Sequence, residues 1–409
     1  MTTGKDLRAL REAQGVSLDT LAKEISTSKG HLSRVERNER SVTPALISAY
    51  ERVLGVPVAA PPGANDASPS AGTVDAVRRR DLLSAIAAAS MGVAALEPLA
   101  RLFDGLTGTG TLPARVGLAE VEAVEKAAEL YMSMDLARHG DVAAAMARGA
   151  LTWGVGLLDQ SMSPTTQERL FSAVGLLSDR LGWATYDAGA SPKAIQLLTF
   201  ALDTAARGPD RDLRAHIMLD LSTVLTDMGQ PAEGVEILRM ALGDERISSA
   251  EQANLHAVAA RHCGTAGQRE AGLRHVGRAE EALTREVPAL APDWARHITA
   301  SKGHHDSALG LALFELNEDE RARDHLTAAL GRLDSGRTRT GLRCLTRLAV
   351  LDIRAGEHAQ GEARALQAAT GAANVHSSRI TADVRMMIGA ARQHGMSDLA
   401  RELTTTLDA

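Results

Sequence analysis

The stretch Ser17–Val35, SLDTLAKEISTSKGHLSRV, decides the fold of the first part of the chain. Leu18, Leu21, Ala22 and Ile25 fall on one face of a first segment, and Leu32 and Val35 on one face of a second. That is the spacing of two amphipathic helices. Between them, Ser26-Thr27-Ser28 are residue types that bond their own backbone and favour turns and N-caps over helix interiors. Two helices hinged by about three residues make a helix-turn-helix. Ala22 is small enough to let the second helix approach closely at the crossing, and Lys29, Gly30, His31, Ser33, Arg34 and Arg37 stay off the apolar face.

Working outward, Lys5–Ala13 places Leu7 and Leu10 on one face and stops before Gly15, and Ser17 caps the next helix. The second helix of the pair runs from about Ser28 to Arg37 and ends at Asn38, which tolerates a left-handed backbone. Pro44 suits the start of a further helix, whose stripe is Leu46, Ile47, Tyr50, Val53 and Leu54 before Gly55. Residues 1–57 therefore read as a compact all-α domain.

The order LAKEI-STS-KGHLSRVERNERSVTP-ALISAYERVLGVP resembles the Cro/repressor-type (Xre-like) helix-turn-helix domain over Leu7 to Pro57. The resemblance implies that the second helix enters the major groove of double-stranded DNA, with its early, outward residues on base edges and its ends on phosphate. By position it assigns base reading to Lys29, Gly30 and Ser33, with His31 beside them, and phosphate contact to Arg34, Arg37 and Arg40; Ser28 opens the helix. Three departures stand out: Leu18 where the family often has Gln, Ser26 where the turn often has Gly, and Asn38 where Gly is usual. The first removes a common phosphate anchor. One head reads only a short half-site, so useful specificity implies a homodimer on an operator.

At 409 residues the chain exceeds one ordinary core. Aromatic residues make up only 2% against 44% hydrophobic, so packing must rest on Leu, Ala, Val and Ile. That suits helices better than sheets. Only six of the 45 basic residues are Lys, an Arg- and Ala-rich usage like that of high-GC, actinobacterial proteins. Residues 1–56 carry nine basic against seven acidic residues, whereas the rest is net acidic. A basic head on an acidic body fits a head that meets phosphate. Two cysteines, Cys263 and Cys344, cannot build a disulfide framework and fit a reducing, cytoplasmic setting.

Val58–Val77 dissolves into Pro, Gly, Ala and Ser and reads as a flexible linker, 58–77. Residues 78–111 read as an apolar helix and a joint. Arg78-Arg79-Arg80 before an uncharged run imitates a targeting signal, but it lies internally and the run is shorter than the ~20 residues of a membrane span. Gly105, Gly108 and Gly110 imitate a phosphate loop without its Lys-Ser/Thr, so a joint is the better reading.

From 112 to 409 the segments read as helix pairs. A phrase of a small residue, an apolar one four later and Ala three later recurs at Ala143-Ala147-Ala150, Ala194-Leu198-Ala201, Gly234-Leu238-Ala241, Gly272-Val276-Ala279, Ala322-Leu326-Ala329 and Gly361-Ala365-Ala368. Small residues at fixed steps let paired helices lie close, and stacked pairs make a solenoid. The body resembles tetratricopeptide-like repeats, best in Leu176–Ala205, although its spacing is longer and uneven. The predicted fold is all-α: a helix-turn-helix head, a linker and an α-solenoid.

In such arrays the first helix of each pair lines a concave surface. The resemblance places Asp179, Trp183, Tyr186, His216, Thr223, Asn254, Arg261, His304, Ser307, Phe314 and Arg343 there, as a groove for a peptide or small polar ligand. No HExxH, GxxxxGK[ST], GxSxG or CxxC occurs, so no enzyme, cofactor or metal site is expected. The His262-Cys263 and His304-His305 pairs lack further ligands at a helpful spacing and read as solvated or capping histidines.

Head plus repeat body resembles the peptide-sensing regulators of Gram-positive bacteria. This implies a dimeric, cytoplasmic transcriptional regulator, with control of development or secondary metabolism as its role. A rival from another class is an interaction scaffold whose head only tethers it.

Overall fold

The computed structural model describes residues 7–8, 11, 16–25, 27–37, 40, 46 and 50 of the head, and 112–408 apart from 137–139, 286–292, 297–300 and 335. The chain divides into two compact units, Met1–Val77 and Arg78–Ala409. The expected linker 58–77 and the apolar helix and joint 78–111 lie outside the described residues, as do parts of the helices expected before Gly15 and after Pro44.

In the head, α1 spans Leu18–Glu24 and α2 spans Lys29–Glu36. Ser17 Oγ caps α1 by accepting from Thr20 N at 3.1 Å, and Ser28 Oγ caps α2 by accepting from His31 N at 3.1 Å. The two serines thus satisfy orphan amides at both helix starts, each cap contributing about 1 kcal/mol. Leu7, Leu21, Ala22, Leu32, Val35 and Tyr50 form the buried core, with Leu18 and Ile25 packed against it. Leu18, which stands where a polar anchor is common, is used for packing.

The described residues of the second unit fold mainly as helices, with α3 Leu118–Leu136, α4 Gly140–Leu157, α5 Pro164–Asp187 and α6 Ser191–Ala205. Next come α7 Arg211–Asp227, α8 Pro231–Ala241, α9 Ser249–Thr265, α10 Arg269–Thr284 and the single turn α11 Asp293–Arg296. The last six are α12 Lys302–Glu315, α13 Asp319–Arg332, α14 Thr338–Arg354, α15 His358–Ala372, α16 Ser378–Gln393 and α17 Ser397–Asp408. Among the described residues β pairing is confined to one isolated bridge, Arg115 with Ser161.

The recurring small-apolar-Ala phrase lies on α4, α6, α8, α10, α13 and α15, the second helix of each pair. Ala194, Leu198 and Ala201 on α6, and Ala322, Leu326 and Ala329 on α13, are all 0% exposed. A Cβ added at Gly234 would collide with the Thr226 side chain of the facing helix, and one at Gly361 would meet Ile353 at 2.8 Å. The small first residue of the phrase is therefore where the two helices of a pair cross.

A second repeat sits in the turns. Gly189, Gly229, Gly267, Asn317, Gly356 and Gly395 all have positive φ, and each ends the first helix of a pair. This is the left-handed C′ position, which Gly fills without strain and Asn tolerates. The long interval between Gly267 and Asn317 accommodates α11 as an insertion between two otherwise regular pairs.

Pairs stack so that α3, α5, α7, α9, α12, α14 and α16 contact one another in succession. The stack then returns on itself, because α16 also contacts α5. These first helices form an inner wall, and their buried residues are unusually polar. On α7 alone Arg214, His216, Asp220, Ser222, Thr223 and Thr226 are buried. Buried polar side chains are the informative departure from an apolar core.

Candidate functional site

In the head, α2 is held from behind by one charge cluster. Glu36, 4% exposed, accepts from Arg11 Nε and Nη2 at 2.7 Å each and from the Tyr50 hydroxyl at 3.0 Å. Burial and the Glu36 carboxylate push the Tyr50 phenol well above its usual range, so it stays a donor. Leu32 and Val35 point into the core. This anchoring fixes the rotation of α2, and Lys29, Gly30 and Arg34 are left exposed with Ser33 and His31 half-exposed.

Each head residue named from the sequence has a place. Ser28 spends its hydroxyl on the cap. Lys29 Nζ reaches Asp19 Oδ2 at 2.6 Å, an exposed pair of little net worth that a phosphate or base edge could replace. Arg34 Nε donates to Gly30 O at 3.1 Å along the helix, and Arg40 lies 3.5 Å from His31 Nδ1. Arg37, at the C-cap, is exposed.

In the second unit the inner wall encloses a cavity of about 270 Å³. Of the residues placed on a groove by sequence, Trp183, His216, Thr223, Asn254, Arg261, His304, Ser307 and Arg343 line it. Asp179, Tyr186 and Phe314 do not, which corrects the expected lining. Asp179 is 0% exposed, behind the wall beside Asp220. Tyr186 is at the last turn of α5, where its hydroxyl donates to Asp227. Phe314, at the last turn of α12, is covered by Arg347 and Arg354 of α14, their guanidinium carbons 5.9 and 4.8 Å from the ring centre.

The histidine pairs are also corrected. His262 is 0% exposed, its Nε2 3.1 Å from Ser222 Oγ, and His304 Nε2 lies 3.1 Å from Asn254 Oδ1. Burial lowers His262 to about 3 and, with His305 and Arg337, holds His304 well below the usual range. Both are neutral: His262 is a fully packed group rather than a solvated one, and half-buried His304 lines the cavity and donates to the Asn254 carbonyl.

Most wall arginines are balanced within the fold. Arg261 donates to Asp227 at 2.6 Å, and Arg343 to Asp383 at 3.1 Å. Burial would raise Asp227, but Arg261 and the Tyr186 hydroxyl outweigh it and hold the carboxyl below its ordinary value. Two wall groups are different. Asn254 Nδ2 is buried and makes no hydrogen bond. Arg337, 8% exposed, is ion-paired to no carboxylate among the described residues, and burial lowers its pKa. Both residues line the cavity, and an amide beside a desolvated cation suits a ligand with a carbonyl and an anionic group.

The part that sequence reasoning missed is the closure of the wall. Asp187, at the end of α5, accepts from Ser377 Oγ at 2.6 Å and Arg379 Nε at 2.7 Å, and Arg339 Nε lies 3.1 Å away. The Arg379 guanidinium also lies over Trp183 at 4.4 Å and Tyr186 at 5.5 Å. Asn374, Val375, His376 and Arg379 thereby become cavity wall. Ser377 and Arg379 lie about 190 residues from Asp187 in sequence, and no local pattern announces the contact.

Residues 7–60 match the helix-turn-helix family. The head is a helix-turn-helix domain of that family. No curated protein matches the chain. Among solved structures it is similar to NprR in complex with its cognate peptide NprX, at 12% identity over 84% of this chain and 89% of that one, TM-score 0.46. It is also similar to a Rap protein complexed with competence and sporulation factor, at 12% identity over 70% and 97%, TM-score 0.40. A third is Bacillus thuringiensis PlcR in complex with the peptide PapR7 and DNA, at 13% identity over 80% and 92%, TM-score 0.36. No helix among the described residues is long and apolar enough to cross a membrane.

Proposed function

We propose that this chain is a sequence-specific transcriptional regulator that binds an operator as a homodimer and senses a ligand in the cavity of its repeat unit. The observation that carries the reading is α2: a capped helix within a helix-turn-helix match, locked by Arg11–Glu36, with Lys29, Gly30, Ser33 and Arg34 facing outward. Such a helix fits the major groove, where Lys29 can donate to guanine and Gly30 lets the backbone approach.

The ligand reading rests on the cavity. Asn254 and Arg337 supply an amide and a cation without an ion-pair partner, and the wall spans first helices from α3 to α16. A short peptide, or another small molecule with a carbonyl and an acidic group, satisfies both. A ligand touching several pairs at once biases the pitch of the stack, and in a dimer this changes the separation of the two heads. Buried, unpaired Cys263 and Cys344 fit a reducing cytoplasm.

Genome-wide mapping of bound sites tests the regulator reading. It should return a limited set of promoter regions sharing a two-fold motif, whereas featureless coverage would reject it. Native mass spectrometry of protein taken from its own culture tests the sensor. A bound mass lost in Asn254→Ala supports it, and a cavity indifferent to culture extract counts against it.

A further inference from the structure

Below the cavity wall lies a cluster that neither the regulator nor the ligand reading uses. Asp179 of α5 and His216 and Asp220 of α7 offer ligand atoms that all lie within 4.8 Å of one another. His216 and Asp220 are one helical turn apart on α7, and both line the cavity. All three are buried, at 0%, 4% and 4% exposure.

Three independent features point to a missing cation. Neither oxygen of the Asp179 carboxylate accepts a hydrogen bond from an N–H or hydroxyl donor, although the side chain is wholly buried and faces the Asp220 carboxyl. An unsatisfied buried carboxylate is costly and calls for a partner. Its one charged neighbour of opposite sign in contact, Arg180, is 3.4 Å away and makes no hydrogen bond to it.

Second, Glu251 of α9, 0% exposed, is 3.2 Å from His216 Nδ1. This is the carboxylate-to-imidazole support that fixes a metal-ligating histidine with its other nitrogen free for the ion. Trp294 of α11 packs against the same ring at 5.4 Å.

Third, the charges do not balance alone. Three carboxyl groups, Asp179, Asp220 and Glu251, gather around one guanidinium, Arg180, and the His216 imidazole. Arg379 also faces Asp220, but it is engaged by Asp187. A divalent ion beside Arg180 would balance the three carboxylates with His216 as a neutral ligand.

We propose that Asp179, His216 and Asp220 bind a divalent transition-metal ion of the zinc or manganese type at the floor of the cavity, with Glu251 positioning His216. One nitrogen and two oxygens suit such borderline ions better than calcium or magnesium, which favour all-oxygen shells. The exposed edge of the ion faces the space that the ligand is proposed to fill. The inference stands on the cluster alone and does not require the DNA-binding reading.

The test uses the full chain stripped with EDTA and titrated with zinc chloride by calorimetry, with bound metal counted by mass spectrometry after gel filtration. One ion per chain is expected. Asp220→Asn should weaken binding at least about tenfold, and Glu251→Gln by about ten- to a hundredfold. Asp220→Asn removes a buried like-charge contact and is expected to fold; Asp179→Asn serves if it does not.

His275→Gln, which breaks the separate His256–His275 imidazole contact at 2.9 Å, should leave binding unchanged. Cobalt(II) on the unmodified chain should give weak visible bands of a nitrogen- and oxygen-ligated ion, without thiolate charge transfer. No stoichiometric binding, equal binding by Asp220→Asn, loss in His275→Gln instead, or a thiolate band would each overturn the proposal.

Discussion

Arg11 and Glu36, 25 residues apart, form a buried two-pronged ion pair that Tyr50 completes. The pair ties the segment before α1, the helix α2 and the segment around Tyr50 into one body, so the rotation of α2 depends on it. Breaking a buried pair leaves an uncompensated charge, at a cost of about 3–5 kcal/mol. Glu36→Ala should therefore unfold the head, seen as loss of its thermal transition while the transition of the repeat unit stays put. The double variant Arg11→Met with Glu36→Leu should recover much of that loss. Equal melting of Glu36→Ala and the unmodified chain would refute the assignment.

Asp187 is the clasp that closes the inner wall onto α16. Asp187→Asn leaves Arg339 and Arg379 without their carboxylate, and hydrogen bonds to charged groups are worth about 1.5–3 kcal/mol. Amide exchange over Ser377–Thr381 should accelerate, with little change in the distant turn at Gly267. Unchanged exchange there would mean that α16 is held by packing alone.

The fold was largely legible because small residues are scarce evidence elsewhere but decisive at helix crossings. The six small-apolar-Ala phrases mark second helices in the structure, and carrying their phase back put eight of eleven named residues on one cavity. The same logic could not see Asp187 with Ser377, or Asp179 with Asp220. Those contacts depend on how far each pair rotates on the last, which no single repeat encodes. The histidines misled for a related reason. His262 occupies a polar position on a first helix that looks solvent-facing in one repeat, and only stacking of the next pair buries it. Within the head, Glu36 was recognisable as part of a motif, yet its buried partner Arg11 carries no local signal.

Buried His262 gives a pH signature. Burial depresses it to about 3 in the folded chain, against about 6.5 when unfolded. It is neutral when folded, so its contribution is intact above about 6.5 and falls as the unfolded chain takes up a proton below that. The loss approaches about 1.4 kcal/mol per pH unit between those values. Denaturant melts of the unmodified chain and His262→Gln, compared from pH 7 to 5, should diverge by that slope, the variant losing less stability. Parallel curves would show that His262 is not buried neutral.

The central claim is that α2 reads DNA sequence. Its most direct test is fluorescence anisotropy of the full chain on a mapped promoter fragment and on a scrambled fragment of equal length, from 50 to 200 mM salt. The account predicts a preference for the promoter of about a thousandfold or more. Ser33→Ala should reduce that preference, at about 1–3 kcal/mol for a lost base contact. Arg34→Ala should weaken both fragments alike and lower the salt slope by about one. Equal affinity for the two fragments, unaltered by either substitution, would contradict it.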